Sequence, residues 1–366
     1  MAGKVNQTSG VGLVNRKTKK RKNLKTADLK YPYIFVLSFS VFRFFGFSVK
    51  LVPVCGLFFA CSCAQPLHKS KYVVAGTFLE VKSYDSRAGK IVYDEIKRLE
   101  NIFSFYKESS ELSRLNRSFD TSVKVSDELF DILKLSYQVY AMSGGAFDPA
   151  SGNLFKLWKG LIAKGGTGRL PSADEIAEIK KNCGFNFVEL NEKDKTVTLR
   201  RRGLSIDLAA IADGYMVDQA ALKLKKAGIS GAIVDLGGDI YCLGRNSNRP
   251  WRVGIKDAPE VSDIIATQNI EDEGAATSGN YEQFFELNGK QYSHLIDPKT
   301  GYPVDDKMIS VTVIAKNCTT ADSLSTAFFV MGVDRIRKFI SLNPSTMRIF
   351  VVMRDENGKK RVHIIQ

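Results

Sequence analysis

The segment DLAAIADGYMVD, residues 207–218, combines three aspartates with a run of small and apolar residues. It predicts the start of a long helix over about 209–227. Two interpretations fit this stretch. In the first, Asp207 is the N-cap and the alanines allow close packing. In the second, the small side chains expose the backbone, so that free N–H groups bind an anion or a carbonyl binds a hard cation.

Helical and strand patterns alternate irregularly on both sides of this segment. Helices are predicted over 91–106, from about Ser126 onward, in SADEIAEIKK with a capping box of Ser172 and Glu175, and over 319–332. YVVAGTFLEVKSY (72–84) is predicted as a strand, FNFVEL and TVTLR as a hairpin, and further strands follow residue 230. This mixture predicts an α+β fold with a mixed or antiparallel sheet and flanking helices.

The charge is distributed unevenly along the chain. Its 366 residues are 44% hydrophobic and 25% charged, which is typical of a globular protein and excludes general disorder. Residues 1–60 hold eleven Lys or Arg and one acid, so this segment carries +10 of the net charge of +14. The rest shows no basic stripe of the kind that nucleic-acid binding requires. We therefore expect no nucleic-acid partner.

The N-terminal segment has the pattern of an export signal. A cationic run precedes two short apolar stretches, of which 51–61 resembles the apolar core of a secretory signal and ends in FFACSCAQP. We expect a lipoprotein-type site with Cys61 or Cys63 as the lipidated residue; an uncleaved signal anchor is the alternative. The expected organisation is a leader over 1–63, a linker over 64–71 and one domain over 72–366, exported to the periplasmic side of the inner membrane and lipid-anchored.

Glycine-rich and hydroxyl-rich segments recur after the predicted strands and helices. SGGAFDPASGNLFKLW (143–158) is predicted as a loop that clasps a planar ring or anchors a helix end. VDLGGDI (234–240) allows close approach of the backbone to a ligand, or forms a bulge. GAATSGNYEQFF (274–285) is predicted as a loop leading into an aromatic strand. No GxGxxG follows a strand and no GxxxxGK[ST] occurs, which argues against Rossmann and P-loop sites.

Two further motifs carry candidate reactive groups. Asp322 and Thr326 share one helix face, where a carboxylate and a hydroxyl suit Mg²⁺; a favourable helix-dipole contact and a backbone-bonded threonine are the alternative. His294, in SHLIDPKTGYPV, is either structural or a general base.

The motifs together resemble the ApbE-type FAD:protein FMN transferases. Eight segments occur in the family's order, from about residue 72 to the C-terminus. They are SFYKESSELSRLN, GGAFDPASGNLFKLW, IDLAAIADGYMVDQA, VDLGGDI, ATSGNYEQFF, YSHLIDPKTGYPV, SVTVIA and ADSLSTAFFVMG. The resemblance implies a single α+β domain of the ApbE type, which binds FAD and Mg²⁺. It also implies transfer of FMN to a Thr or Ser hydroxyl of flavoprotein subunits of membrane redox complexes, with release of AMP.

The resemblance also implies roles for individual residues. His294 matches the histidine proposed to activate the acceptor hydroxyl. The expected metal-site residues are Asp322, Thr326 and, through its backbone carbonyl, Ala210. The expected FAD contacts are Ala75, Tyr106, Ala146, Phe147, Asp148, Asp207, Asp213 and Ile296.

Two positions depart from the family pattern. Ala75 stands where a methionine often contacts the flavin, and Asp213 where Lys or Glu is common; both changes could alter the affinity for FAD.

Two other functions remain open from the sequence. One is an Mg²⁺-dependent FAD pyrophosphatase that gives FMN and AMP, and the other is an exported FAD-binding lipoprotein without turnover.

Overall fold

The fold is built on one large antiparallel sheet. The computed structural model describes residues 66–166, 169–258, 261–304 and 307–365. The order of the eight strands is β1-β2-β6-β7-β10-β13-β14-β15, and all neighbouring pairs are antiparallel. These strands are β1 (His68–Val74), β2 (Thr77–Ser83), β6 (Gly231–Leu236), β7 (Asp239–Gly244), β10 (Glu273–Gly279), β13 (Met308–Ala315), β14 (Arg348–Arg354) and β15 (Lys360–Ile365).

Three smaller β elements accompany this sheet. A three-stranded sheet has the order β3-β5-β4, and two hairpins pair β8 with β9 and β11 with β12. Their bounds are β3 (Val123–Lys124), β4 (Val188–Asn191), β5 (Thr196–Leu199), β8 (Trp251–Ala258), β9 (Val261–Ile270), β11 (Phe284–Leu287) and β12 (Lys290–Ser293). The predicted hairpin of FNFVEL and TVTLR is confirmed as β4 and β5, although a 3-10 turn, Phe185–Phe187, occupies its first residues.

Seven helices lie among the described residues. They are α1 (Ala88–Phe103), α2 (Glu111–Asn116), α3 (Asp127–Met142), α4 (Gly152–Ala163), α5 (Ala173–Lys180), α6 (Ala212–Lys226) and α7 (Cys318–Leu342). Ser126 caps α3 by accepting the Leu129 N–H, and Ser172 with Glu175 forms the predicted capping box on α5. The α+β class and the antiparallel sheet are confirmed. None of the described helices is long and apolar enough to cross a membrane.

Several boundaries differ from the predictions because turns were not recognised. The stretch 72–84 is not one strand but the hairpin β1–β2, since Ala75 and Gly76 form a turn with φ of 53° and 77°. The hairpin begins at His68, inside the predicted linker; the leader itself lies outside the described residues. The helix after Asp207 starts only at Ala212, and α7 continues past the predicted end through a kink at Gly332.

The prediction of a loop over 274–285 was wrong for the first half of that segment. Residues 273–279 form β10, which pairs with β7 on one side and β13 on the other. Small residues suit this position because α7 packs directly on the strand: a Cβ on Gly274 would lie 2.3 Å from the Cys318 nitrogen. The small residues that suggested a loop therefore permit a close helix–sheet contact.

Helices α6 and α7 cross closely at Gly214. A Cβ at this position would lie 2.6 Å from the Cys318 carbonyl oxygen and 2.8 Å from Cβ of Asp322. The Gly214 N–H donates to Asp322 Oδ2 at 3.1 Å. Asp218, one turn further along α6, accepts hydrogen bonds from the Cys318 and Thr319 N–H groups at 2.8 Å each. Asp218 is thus structural and caps α7.

This crossing leads to a prediction for stability. Gly214→Ala should lower the free energy of unfolding by about 1–3 kcal/mol, because the added methyl meets backbone that must move apart. Gly160→Ala is the matched control, since no atom lies within 4 Å of its added Cβ. In helix α4 that change should raise stability by about 0.5–1 kcal/mol. Equal denaturant midpoints for the two variants would show that the crossing tolerates a side chain.

Candidate active site

A cleft of about 340 Å³ opens where α6, α7, the tip of the β1–β2 hairpin and the loop after β12 meet. That volume lies within the usual range of small-molecule sites. Eleven of the twelve sequence-predicted site residues line it: Ala75, Ala146, Phe147, Asp148, Asp207, Ala210, Asp213, His294, Ile296, Asp322 and Thr326. The twelfth, Tyr106, is 73% exposed and lies in an adjoining depression that shares Lys159, Glu282 and Gln283 with the cleft.

The turn before α6 places backbone groups in the cleft. Asp207 does not cap the helix: its Oδ1 accepts the Ala209 N–H at 3.0 Å, while its own N–H donates to the Pro149 carbonyl at 2.8 Å. The helix begins five residues later, after an irregular N-cap at Ile211. Ala210 consequently lies in a non-helical turn on the cleft wall, where backbone rather than a bulky side chain faces the ligand space.

One buried and two half-buried carboxyl groups gather around the α6–α7 crossing. Asp322 is 6% exposed, and burial together with the negative charge of Asp213 raises its pKa well above the usual range. Burial, Asp322 and Asp213 likewise raise the pKa of Asp239. Burial raises the pKa of Asp213 to about 7. Carboxyl groups that hinder one another's ionisation in this way are stabilised as anions when a cation lies between them.

Hydroxyl groups from β10 and α7 face the same region. Ser278 Oγ lies 3.0 Å from Thr326 Oγ1 and 2.8 Å from Ser325 Oγ. No group of three or more His, Cys, Asp or Glu side chains in the described part of the chain is arranged to hold a metal ion. A cation here would need a mixed oxygen set. Asp322, the Thr326 hydroxyl and the Ala210 carbonyl fit Mg²⁺, which is bound through few protein ligands and keeps several waters.

The loop between α3 and α4 forms another wall. Gly144 and Gly145 have φ of 60° and 82° and turn the chain after α3. Phe147 is buried in the main core, so it anchors the loop instead of presenting an open ring face. Asp148 accepts the Ala150 N–H at 3.0 Å, and burial raises the pKa of its carboxyl to about 7.

His294 is held in one tautomer by the backbone. Its Nδ1 lies 3.2 Å from the Gln283 carbonyl oxygen, which can only accept, so Nδ1 carries the proton. The Nε2 lone pair of the neutral ring is therefore free to accept a proton. Burial and the positive charge of Lys159 lower the pKa of His294 to about 4, although the Gln283 hydrogen bond opposes this shift.

Three charged residues of the cleft were not among the predicted set: Lys159, Asp239 and Glu282. Asp239 follows Gly237 and Gly238 in the VDLGGDI motif, which was the available signal. Glu282 stands within GAATSGNYEQFF, which was interpreted as a loop leading into a strand, and Lys159 directly follows SGGAFDPASGNLFKLW, so neither side chain had a signal of its own.

Comparison with known proteins places this cleft in a family. The sequence profile of the ApbE family matches residues 75–351. The chain belongs to the ApbE family. It is 31% identical to the FAD:protein FMN transferase of Treponema pallidum, over 82% of this chain and 90% of that protein. It is also 31% identical to the FAD:protein FMN transferase of Vibrio cholerae, over 85% and 95% respectively.

Solved ApbE structures share the fold. The ApbE protein of Thermotoga maritima has a TM-score of 0.71 at 32% identity, covering 81% of this chain and 96% of that one. The flavin transferase ApbE of Vibrio cholerae has a TM-score of 0.71 at 27% identity, covering 82% and 97%. The single-domain α+β architecture expected from the resemblance is confirmed.

The histidine environment can be tested directly. His294 should keep its neutral, Nδ1-protonated ring down to about pH 5, because burial and Lys159 both disfavour the imidazolium. Its ¹⁵N imidazole shifts should titrate near pH 4. The chain has only three histidines, and loss of one signal set in His294→Gln assigns the resonance. A titration midpoint near 6.5, the unperturbed value, would mean that the cleft does not desolvate this ring.

Proposed function

We propose that this ApbE-family protein transfers the FMN moiety of FAD to a Thr or Ser hydroxyl of a partner flavoprotein, with Mg²⁺ dependence and release of AMP. The single observation that carries the proposal is the cleft itself. It brings together a histidine with a free Nε2, the buried Asp322 carboxyl group and the half-buried Thr326 hydroxyl. The names of the relatives, FAD:protein FMN transferase, support the same reaction.

The reaction needs one proton transfer and one displacement at phosphorus. His294 Nε2 takes the proton of the acceptor hydroxyl as its oxygen bonds to the FMN phosphorus. The bond from that phosphorus to the bridging oxygen breaks, and AMP leaves with the electron pair. Because His294 is neutral at physiological pH, it is ready to act as the base without prior deprotonation.

The residues at the α6–α7 crossing fit a divalent cation. Asp322, Thr326 and the Ala210 carbonyl would hold Mg²⁺, which when bound offsets the negative charge of the diphosphate. Asp213 and Asp239 surround this position, and their raised pKa values are consistent with a site built to receive positive charge. The Asp207 turn and the Ala146–Asp148 loop would line the remaining FAD surface.

We further propose that the protein is exported and lipid-anchored at Cys61 or Cys63, on the periplasmic side of the inner membrane. Its acceptors would then be flavoprotein subunits of membrane redox complexes. Support comes from the sequence alone: the basic run, the apolar stretch 51–61 and the cysteines that follow it. These residues lie outside the described structure.

The activity is tested by incubating the protein with FAD and Mg²⁺, with and without a candidate acceptor subunit. We expect AMP release together with flavin fluorescence that stays on the acceptor after denaturation. An acceptor whose candidate Thr is changed to Ala is the control and should remain unlabelled. AMP with free FMN in the absence of acceptor would favour FAD hydrolysis instead. Absence of AMP under all conditions would leave only FAD binding.

Asp322 supplies a second test. Asp322→Ala should lower Mg²⁺-dependent AMP release by at least about 10²-fold, because metal stabilisation of phosphoryl transfer amounts to several kcal/mol. Asp334→Ala, an exposed acid on the same helix, is the matched control and should be unaffected. Undiminished turnover in Asp322→Ala would remove this carboxylate from the metal site.

A further inference from the structure

Lys159 differs in charge from every other residue that lines the cleft. It lies near the end of α4, and its side chain is 23% exposed, with Nζ 3.2 Å from Asp207 Oδ2. Among the described residues, it is the one Lys or Arg that lines the cleft. The other charged groups there are acids, apart from neutral His294. A dianionic diphosphate entering this cleft would be repelled by these acids and attracted by Lys159 and by a bound cation.

The Lys159 ammonium group has an N–H donor left for a ligand. Burial acts to lower the pKa of Lys159, but Asp207 and the Tyr106 hydroxyl outweigh it, and the net shift is upward. Lys159 therefore keeps its charge at neutral pH. An ammonium carries three N–H donors. Asp207 and Tyr106 account for two, which leaves one for an oxygen in the cleft.

Lys159 and the proposed base line the same cleft. The positive charge of Lys159 is one cause of the lowered pKa of His294. A general base must be within hydrogen-bond reach of the hydroxyl that it deprotonates. That hydroxyl attacks the FMN phosphorus, so a cation that lines the same cleft as His294 faces the space in which the phosphoryl group reacts.

We propose that Lys159 is a further catalytic residue, whose ammonium binds a non-bridging oxygen of the FMN phosphoryl group. The inference rests on the proposed function. As the acceptor oxygen bonds to phosphorus, the bond to the AMP oxygen breaks and the proton passes to His294 Nε2. Negative charge on the equatorial oxygens persists through this step, and Lys159 stabilises it. The same contact operates if water replaces the acceptor hydroxyl.

A structural role is the competing explanation. Asp207 is buried, and Lys159 is its ion-pair partner. Removing the lysine leaves an unpaired buried carboxylate, which destabilises the fold irrespective of catalysis. The experiment must therefore separate the loss of a partner for Asp207 from the loss of a cation at the phosphoryl group.

The test measures single-turnover AMP release at saturating FAD and Mg²⁺, with FAD affinity by flavin fluorescence and thermal unfolding alongside. Lys159→Met should slow AMP release by about 10²–10³-fold, the usual effect of removing one preorganised transition-state donor. Lys159→Arg, which keeps the charge, should be about tenfold faster than Lys159→Met. Lys156→Met, an exposed lysine one turn earlier on α4, is the matched control and should retain the wild-type rate.

The double variant decides between the two roles. In an Asp207→Asn background no buried charge is left unpaired, so Lys159→Met should no longer reduce thermal stability, yet it should still slow AMP release by about the same factor. If the slowing vanishes in that background, Lys159 acts only through Asp207 and the proposal is overturned. It is equally overturned if Lys159→Met alone keeps the wild-type rate. A wild-type protein that releases no AMP would instead refute the proposed function, and this inference with it.

Discussion

The close crossing of α6 and α7 at Gly214 is the constraint on which the site depends. Without a side chain at this position, the Gly214 N–H reaches Asp322 Oδ2, and the start of α7 lies against α6. Asp218 reinforces the crossing by accepting the first N–H groups of α7. The same contact that joins two helices thus fixes the direction of the Asp322 carboxylate.

The electrostatics of the cleft follow from that packing. Burying several carboxyl groups in one place is unfavourable in isolation, because each raises the free-energy cost of ionising the next. Such an arrangement is useful only where a positively charged ligand is part of the working state. The raised pKa values of Asp322 and Asp239 show this effect, since neighbouring acids contribute to both. The cleft is therefore better matched to a cation-bound nucleotide than to a free anion.

Local signals in the sequence predicted local structure well. The caps at Ser126 and Ser172 were recognised because the cap residue and its N–H partner are three residues apart. The small residues of β10 were misjudged as a loop. They are small because α7, which begins 44 residues after Gly274, packs directly on this strand. Asp207 was misjudged as a possible cap because its partners, the Ala209 N–H and the Pro149 carbonyl, appear only when the chain is folded.

The site residues were predicted from the order of the motifs along the chain, and such a prediction has a physical limit. A motif match selects positions shared with relatives, but it carries no information about a residue that reaches the cleft from an otherwise ordinary helix. Lys159 is of this kind: neither its neighbours nor its spacing distinguish it from Lys156, and only the fold turns one inward and the other to solvent.

The cleft is assembled from two packing units. The carboxyl groups of α6 and α7 lie against the main core, whereas Lys159 follows Trp158, which belongs to a smaller apolar cluster with Ile176, Phe285 and Ile296. Trp158 Nε1 donates to the Gly301 carbonyl at 2.9 Å, joining α4 to the turn that follows His294. Lys159 is therefore carried by the smaller cluster, whereas the turn after His294 joins the two clusters, since Leu295 belongs to the main core and Ile296 to the smaller cluster. The position of Lys159 relative to the carboxyl groups of α6 and α7 then depends on how the small cluster packs on the large one, so Trp158 and its neighbours help to set the shape of the cleft.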